Sequence, residues 1–381
     1  MPKRTLRDQL EDKTVPTFLF GCTPPRDGTD VVKAETACEK FASRSAVLAT
    51  DGFIVYDIQD EAGRTKMERP FPFRKTLDPS WYGSLFPSRS GKGCMIYKCV
   101  VESSLEKFEK WLDDACEKFH HNSFVLVGAP TSSREYSGCG LKEASAVVKA
   151  KANASFGCVA IAERHTKKNN EHLNMMRKQN YGAEWFVTQG IFNPGPIIRM
   201  IRDYGELCRS LDVAPKKVIL TFAPCGRQKT LTFIEWLGMH VPEDVKARIL
   251  GAKTIGLEAG ARDTGPVKES CRILQEVFKE VLAGIVGSGV PIGINVESLS
   301  IFKEEIDAAH RLFRDLQELM LNSRESPWAV KWYDIHKGGS AYDDIVLIEQ
   351  EKELRKRHVF LAGLVMGTFG VWLGRKTAMK R

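Results

Sequence analysis

Asp57, Asp60 and Glu61 follow directly on the apolar run Phe53-Ile-Val-Tyr56, a spacing that makes them a candidate acid–base cluster. A carboxyl group moves protons near neutral pH only where burial raises its pKa. Single carboxylates follow other apolar runs: Glu163 lies beyond Phe156-Gly-Cys-Val-Ala-Ile161, and Glu297 beyond Gly293-Ile-Asn-Val296. Asp57, Glu61, Glu163 and Glu297 are therefore the candidate acids. Other groups able to bind a ligand stand at equivalent places: Cys22 and Arg26, Lys98, His165, Gln189, Cys225 and Arg227, and Asn295. Ser132, Ser133 and Arg134 are read either as a cradle for an anion such as a phosphate or a glutamate tail, or as an ordinary turn.

The elements that must position these groups are short apolar runs alternating with helical patterns. The runs begin near Thr17, Phe53, Cys94, Ser123, Phe156, Glu184, Lys217 and Gly293, and a helical pattern follows each. One of them, Leu105–Phe119, places Leu105, Phe108, Leu112, Ala115 and Phe119 on one face. Apolar runs with little alternation suit parallel strands buried on both faces. Eightfold strand–helix alternation predicts an α/β fold, a (β/α)8 TIM barrel, with the candidate residues at the C-terminal ends of its strands. A doubly wound open sheet is the alternative, but no G-x-G-x-x-G follows an early strand.

Composition agrees with a folded chain. Of 381 residues, 43% are hydrophobic and 27% charged, which excludes a disordered, collagenous or polytopic membrane protein. Residues 352–381 carry seven of the eight net positive charges, so the rest is near neutral and no nucleic-acid partner is expected. The ten cysteines form no Cys-x-x-Cys pair, and the opening MPKRTLRDQLEDK lacks the apolar core of a signal peptide. The expectation is reduced thiols in a chain that is not secreted, with no zinc-ligand spacing and hence no metal.

Residues 1–14 read as an N-terminal extension, 15–325 as the barrel, and 326–358 as a linker and charged helix. The sixteen residues 359–374 (VFLAGLVMGTFGVWLG) carry no charge. At 1.5 Å per residue they span about 24 Å, and flanking Arg357 and Arg375 could snorkel to complete a membrane crossing. Gly363 and Gly367 permit close helix pairing in lipid, hence homo-oligomerisation. The tail is read as a membrane anchor facing the cytosol. By its similarity to other short basic-flanked tails, it is assigned to an organelle membrane, the mitochondrial outer membrane first. A helix buried against the barrel is the alternative.

Around the sixth run the sequence resembles a known family. The stretch Leu173, Asn174, Arg177, Lys178, Gly182-Ala183 and Phe186-Val-Thr-Gln189-Gly-Ile-Phe-Asn193 is similar to the methylenetetrahydrofolate reductases, as is Phe18-Leu-Phe-Gly-Cys-Thr-Pro-Pro-Arg26. The resemblance implies a barrel that takes hydride from NADH or NADPH through FAD to 5,10-methylenetetrahydrofolate, in one-carbon metabolism. It implies that Gln189 binds the pterin of the folate and that His165, Asn174, Arg177 and Lys178 hold the flavin. The chain departs from the family twice: Leu19 stands where the family has a glutamate, and Val127-Gly-Ala129 where it has Arg-Gly-Asp. A non-catalytic folate- or flavin-binding barrel, acting as a membrane-anchored sensor or scaffold, is thus the alternative to the oxidoreductase. A barrel enzyme of another pterin or one-carbon substrate is a third reading.

Overall fold

The computed structural model describes residues 4–62, 65–130, 135–253 and 265–322. The linker, charged helix and anchor expected from residue 326 onward lie outside the described residues, as does Ser132-Ser-Arg134. Among the described residues no helix is long and apolar enough to cross a membrane.

Eight parallel strands close into a barrel in sequence order. They are β1 (Phe18–Cys22), β2 (Gly52–Val55), β3 (Cys94–Cys99), β4 (Ser123–Val127), β5 (Ser155–Ala160), β6 (Trp185–Gly190), β7 (Lys217–Phe222) and β8 (Ile292–Val296). β1 pairs with β2 on one side and β8 on the other, which closes the ring. The first helices are α1 (Leu6–Glu11), α2 (Val31–Ser45), α3 (Pro79–Gly83), α4 (Phe86–Ser90), α5 (Leu105–Asp113) and α6 (Leu141–Ala150). α7 (Ala162–Lys168), α8 (Glu171–Tyr181), α9 (Pro194–Ser210), α10 (Gln228–Trp236), α11 (Glu243–Gly251), α12 (Gly265–Gly284) and α13 (Lys303–Asn322) follow. The alternation read from the sequence is thus a (β/α)8 barrel.

Side chains alternate across each strand, so two cores form. Phe18, Phe20 and Cys22 of β1 point outward into the layer between strands and helices. Leu19 points inward, with Ile54, Met95, Tyr97, Val125, Trp185, Val187 and Ile219. Gly157 leaves room for the largest of these: a Cβ there would stand 2.1 Å from the Trp185 ring.

Some local expectations are corrected. Residues 105–119 do not form one α-helix: α5 ends at Asp113 and a π-turn follows, in which Phe119 N–H reaches Asp114 O at 3.0 Å. Phe108, Leu112 and Ala115 are buried, but Leu105 is exposed. Within the N-terminal extension, Leu6 and Leu10 of α1 join the inner core and cap the N-terminal end of the barrel. Lys217, fully buried at that end, donates to Gln9 O at 2.6 Å and Thr17 Oγ1 at 2.7 Å, which ties β7 to α1.

Candidate functional site

The inner face of each strand continues past the core into a cavity of about 590 Å³ at the C-terminal mouth. Period-two geometry decides what it receives. Trp185 and Val187 face inward, so Gln189 does too; Ile54 brings Tyr56, and Asn295 brings Glu297. Among the described residues the cavity is lined by three acids, Asp57, Glu61 and Glu297, and three bases, Arg69, Arg164 and Lys178. Tyr56, Tyr97, Phe233 and Trp236 supply aromatic walls.

Glu297 stands at the end of a hydrogen-bonded chain. Asn295 Nδ2 donates to the Tyr56 hydroxyl at 2.9 Å, and that hydroxyl bonds the Glu297 carboxylate. Burial pushes the Glu297 carboxyl up to about 7, against the lowering effect of the Tyr56 bond. Tyr56 and Tyr97 meet edge to face at 4.9 Å, and both hydroxyls are held well above the usual phenol range by burial and by the Glu297 charge. Leu19 is in register with Asn295, so Glu297 lies two residues, about 6.6 Å, nearer the mouth than the inward carboxylate that a glutamate at position 19 would supply.

The other candidate acids differ. Asp57 lines the cavity, with Oδ2 accepting from Cys99 N–H and Oδ1 from Gln59 Nε2, both at 2.8 Å. Burial raises its pKa, and Lys98 and the Cys99 N–H oppose the rise. Glu61 also lines the cavity. Glu163, on α7, is not part of the lining; its carboxylate accepts from His240 N–H at 3.4 Å. Gln189 Nε2 is anchored on Leu237 O at 3.0 Å, which leaves Oε1 buried and without a hydrogen-bond partner among the described residues. A buried acceptor without a partner beside a cavity is one that a donor from a ligand or a water can satisfy.

The four residues assigned to a flavin do not converge on this cavity. Only Lys178 lines it, and its Nζ already donates to Val159 O at 2.6 Å, with the buried Glu171 3.6 Å away. Asn174 bonds Glu171 at 2.9 Å and receives Arg177 at 2.9 Å, an exposed contact. His165 is 1% exposed and its Nε2 meets Asp203 Oδ2 at 2.8 Å. His165, Asn174 and Arg177 thus make their contacts among α7, α8 and α9.

Several lining groups escape a sequence reading. The Pro-rich excursion between β2 and β3 brings Arg69 to the cavity, where its guanidinium lies 4.5 Å from the Trp236 ring and 5.1 Å from Phe73. Phe233 stacks on Trp236 at 5.9 Å and meets Phe71 edge-on at 5.5 Å. The only signal was an aromatic and basic enrichment in loops, which has no strand or helix period to mark it.

No protein-family model and no curated protein matches this sequence. Solved structures do. A mannanase of glycoside hydrolase family 113 (13% identity, TM-score 0.45, covering 79% of this chain and 99% of its own) and a xylanase from Cellvibrio japonicus (9%, 0.46, 80% and 97%) have likenesses too weak to speak of a ligand. A protein from Clostridium thermocellum is far more similar: 26% identity and a TM-score of 0.68, over 82% of this chain and 99% of its own. That protein binds two copies of 5-methyl-5,6,7,8-tetrahydrofolic acid, and this chain shares its barrel.

Proposed function

We propose that the mouth of the barrel binds a reduced folate. The observation that carries this reading is the open Gln189 Oε1, an acceptor fixed at the wall of a cavity that also presents carboxylates and aromatic rings. A pterin is flat with a donor-rich edge: Gln189 accepts from its N–H groups, Asp57 and Glu297 offer further lone pairs, and Tyr56, Tyr97 or Trp236 flank its faces. Arg69, Arg164 and Lys178 supply positive charge for the glutamate carboxylates of the tail. The similarity to the Clostridium thermocellum folate binder supports the same assignment.

A second reading, reduction of 5,10-methylenetetrahydrofolate with NADH or NADPH, is favoured by Glu297 alone. A cavity carboxyl that holds its proton up to about 7 can protonate a pterin nitrogen, the role that Leu19 cannot fill. The sequence also motivates attachment to an organelle membrane through 359–374. A full-chain fluorescent fusion that stays on membranes, and becomes diffuse when those residues are deleted, is the expected outcome. A fusion already diffuse at full length removes the anchor.

Calorimetric titration of the purified chain with 5-methyltetrahydrofolate tests the main reading. Saturable binding that weakens at least about tenfold in Gln189→Ala is expected. No binding by the parent chain overturns it. A visible flavin spectrum with nicotinamide oxidation dependent on methylenetetrahydrofolate would establish the second reading, and its absence alongside folate binding leaves a binding module.

A further inference from the structure

Outside the cavity, α7, α8 and α9 bring His165, His172 and Asp203 together, each with one ligand atom within 4.8 Å of the others. Sequence spacing did not suggest a metal, because Asp203 comes from a different helix. The two rings are edge to face, with centroids 5.2 Å apart. Asn169, in the left-handed conformation at φ 47°, ends α7 and turns the chain into α8, which sets one histidine beside the other. His165 is 1% exposed, while His172 and Asp203 are partly exposed, so the cluster has a closed inner side and an open outer one.

The hydrogen bonding fixes what the inner histidine can offer. Its Nε2 faces the Asp203 carboxylate at 2.8 Å, so a cation bound by both takes the place of the proton between them, and Nδ1 lies on the far side of the ring. That Nδ1 is buried and has no hydrogen-bond partner among the described residues, and the same is true of His172 Nδ1. One nitrogen of each imidazole and one Asp203 oxygen, all within 4.8 Å of one another, form a donor set suited to zinc.

We propose that His165, His172 and Asp203 form a divalent transition-metal site, zinc by donor chemistry, that pins α7, α8 and α9 together behind the barrel mouth. Three protein groups leave a fourth position for water on the exposed side.

The test uses the full chain without a histidine tag, stripped with chelator and titrated with Zn²⁺, with Co²⁺ as a spectroscopic probe. One zinc per chain and the visible bands of four-coordinate cobalt are expected. His172→Ala and Asp203→Asn should each weaken zinc binding by about tenfold or more. Asparagine keeps a hydrogen bond to His165, and His172 is partly exposed, so both variants should retain the parent circular dichroism. Failure of the parent chain to bind zinc overturns the proposal, as does parent-like affinity in either variant.

Discussion

The Tyr56 hydroxyl lies between Asn295 and Glu297, taking a hydrogen bond from Asn295 Nδ2 at 2.9 Å and bonding the Glu297 carboxylate. Asn295 is fully buried and also donates to Thr221 Oγ1 at 3.3 Å, so the chain is anchored in the barrel wall. Burial disfavours the charged form of Glu297 and raises its carboxyl to about 7, so it is poised to exchange a proton with whatever occupies the cavity.

That poise has a cost that depends on pH. The Glu297 carboxyl rises from 4.5 in the unfolded chain to about 7 in the fold, so the native state holds its proton more tightly. The stability it contributes is complete below about 4.5, is lost as pH rises through 7, and is flat above. Glu297→Gln should remove this slope and leave the variant more stable than the parent at pH 8, by on the order of 1–3 kcal/mol. Urea denaturation at pH 4, 6 and 8 checks it; parallel pH profiles for both proteins would contradict the raised carboxyl.

Gly21 is the floor on which the pair rests. A Cβ at that position would stand 2.8 Å from Glu297 Cβ and 2.9 Å from Tyr56 Cε2, and neither atom is the free end of a flexible chain. Gly21→Ala should push Tyr56 and Glu297 apart, destabilise the fold by roughly 1–3 kcal/mol, and weaken folate binding. Paired thermal melts and titrations measure both; a variant with parent stability and affinity would show that the two side chains do not meet over Gly21.

How far the sequence revealed this site depends on period. The barrel was legible because eight apolar runs alternate with helical patterns, and Gln189, Asp57 and Glu297 were legible because they end such runs. Tyr56 was passed over as part of its strand, although the parity that turns Ile54 inward turns Tyr56 inward too. Arg69 and Trp236 meet the cavity through loop and helix placement, and no local pattern encodes that meeting. His165, Asn174 and Arg177 were assigned by resemblance. His165 is occupied by Asp203 of α9, which only the packing of the helices shows, and Asn174 bonds Glu171 and Arg177 within α8.

Gln189 separates recognition from architecture. Its Nε2 bond to Leu237 O orients the amide, and its Oε1 has no partner among the described residues. Gln189→Glu preserves shape but removes the donor that anchors the side chain and brings a negative charge beside Leu237 O. It should weaken 5-methyltetrahydrofolate binding at pH 8 more than Gln189→Ala does, with melting temperature falling by only a few degrees. Equal affinities for both variants and the parent would place the pterin elsewhere in the cavity.

The cap at the other end of the barrel makes a prediction of opposite sign. Leu10 is fully buried beneath the inner core, and Leu10→Ala should cost about 2–5 kcal/mol. Lys217, bonded to Gln9 O and Thr17 Oγ1, has its amine pulled down to about 7 by burial, against the attraction of Asp51 and Asp12. The unfolded chain keeps that proton to about pH 10.4, so between pH 7 and 10 the unfolded state binds more protons and the stability contributed by Lys217 rises with pH. Lys217→Met should abolish the rise. It also removes the tie to α1, so amide exchange in residues 6–11 should quicken while the strands stay protected. If the parent and Lys217→Met proteins respond identically between pH 7 and 10, the buried amine is not neutral in the fold and the cap is held by leucine packing alone.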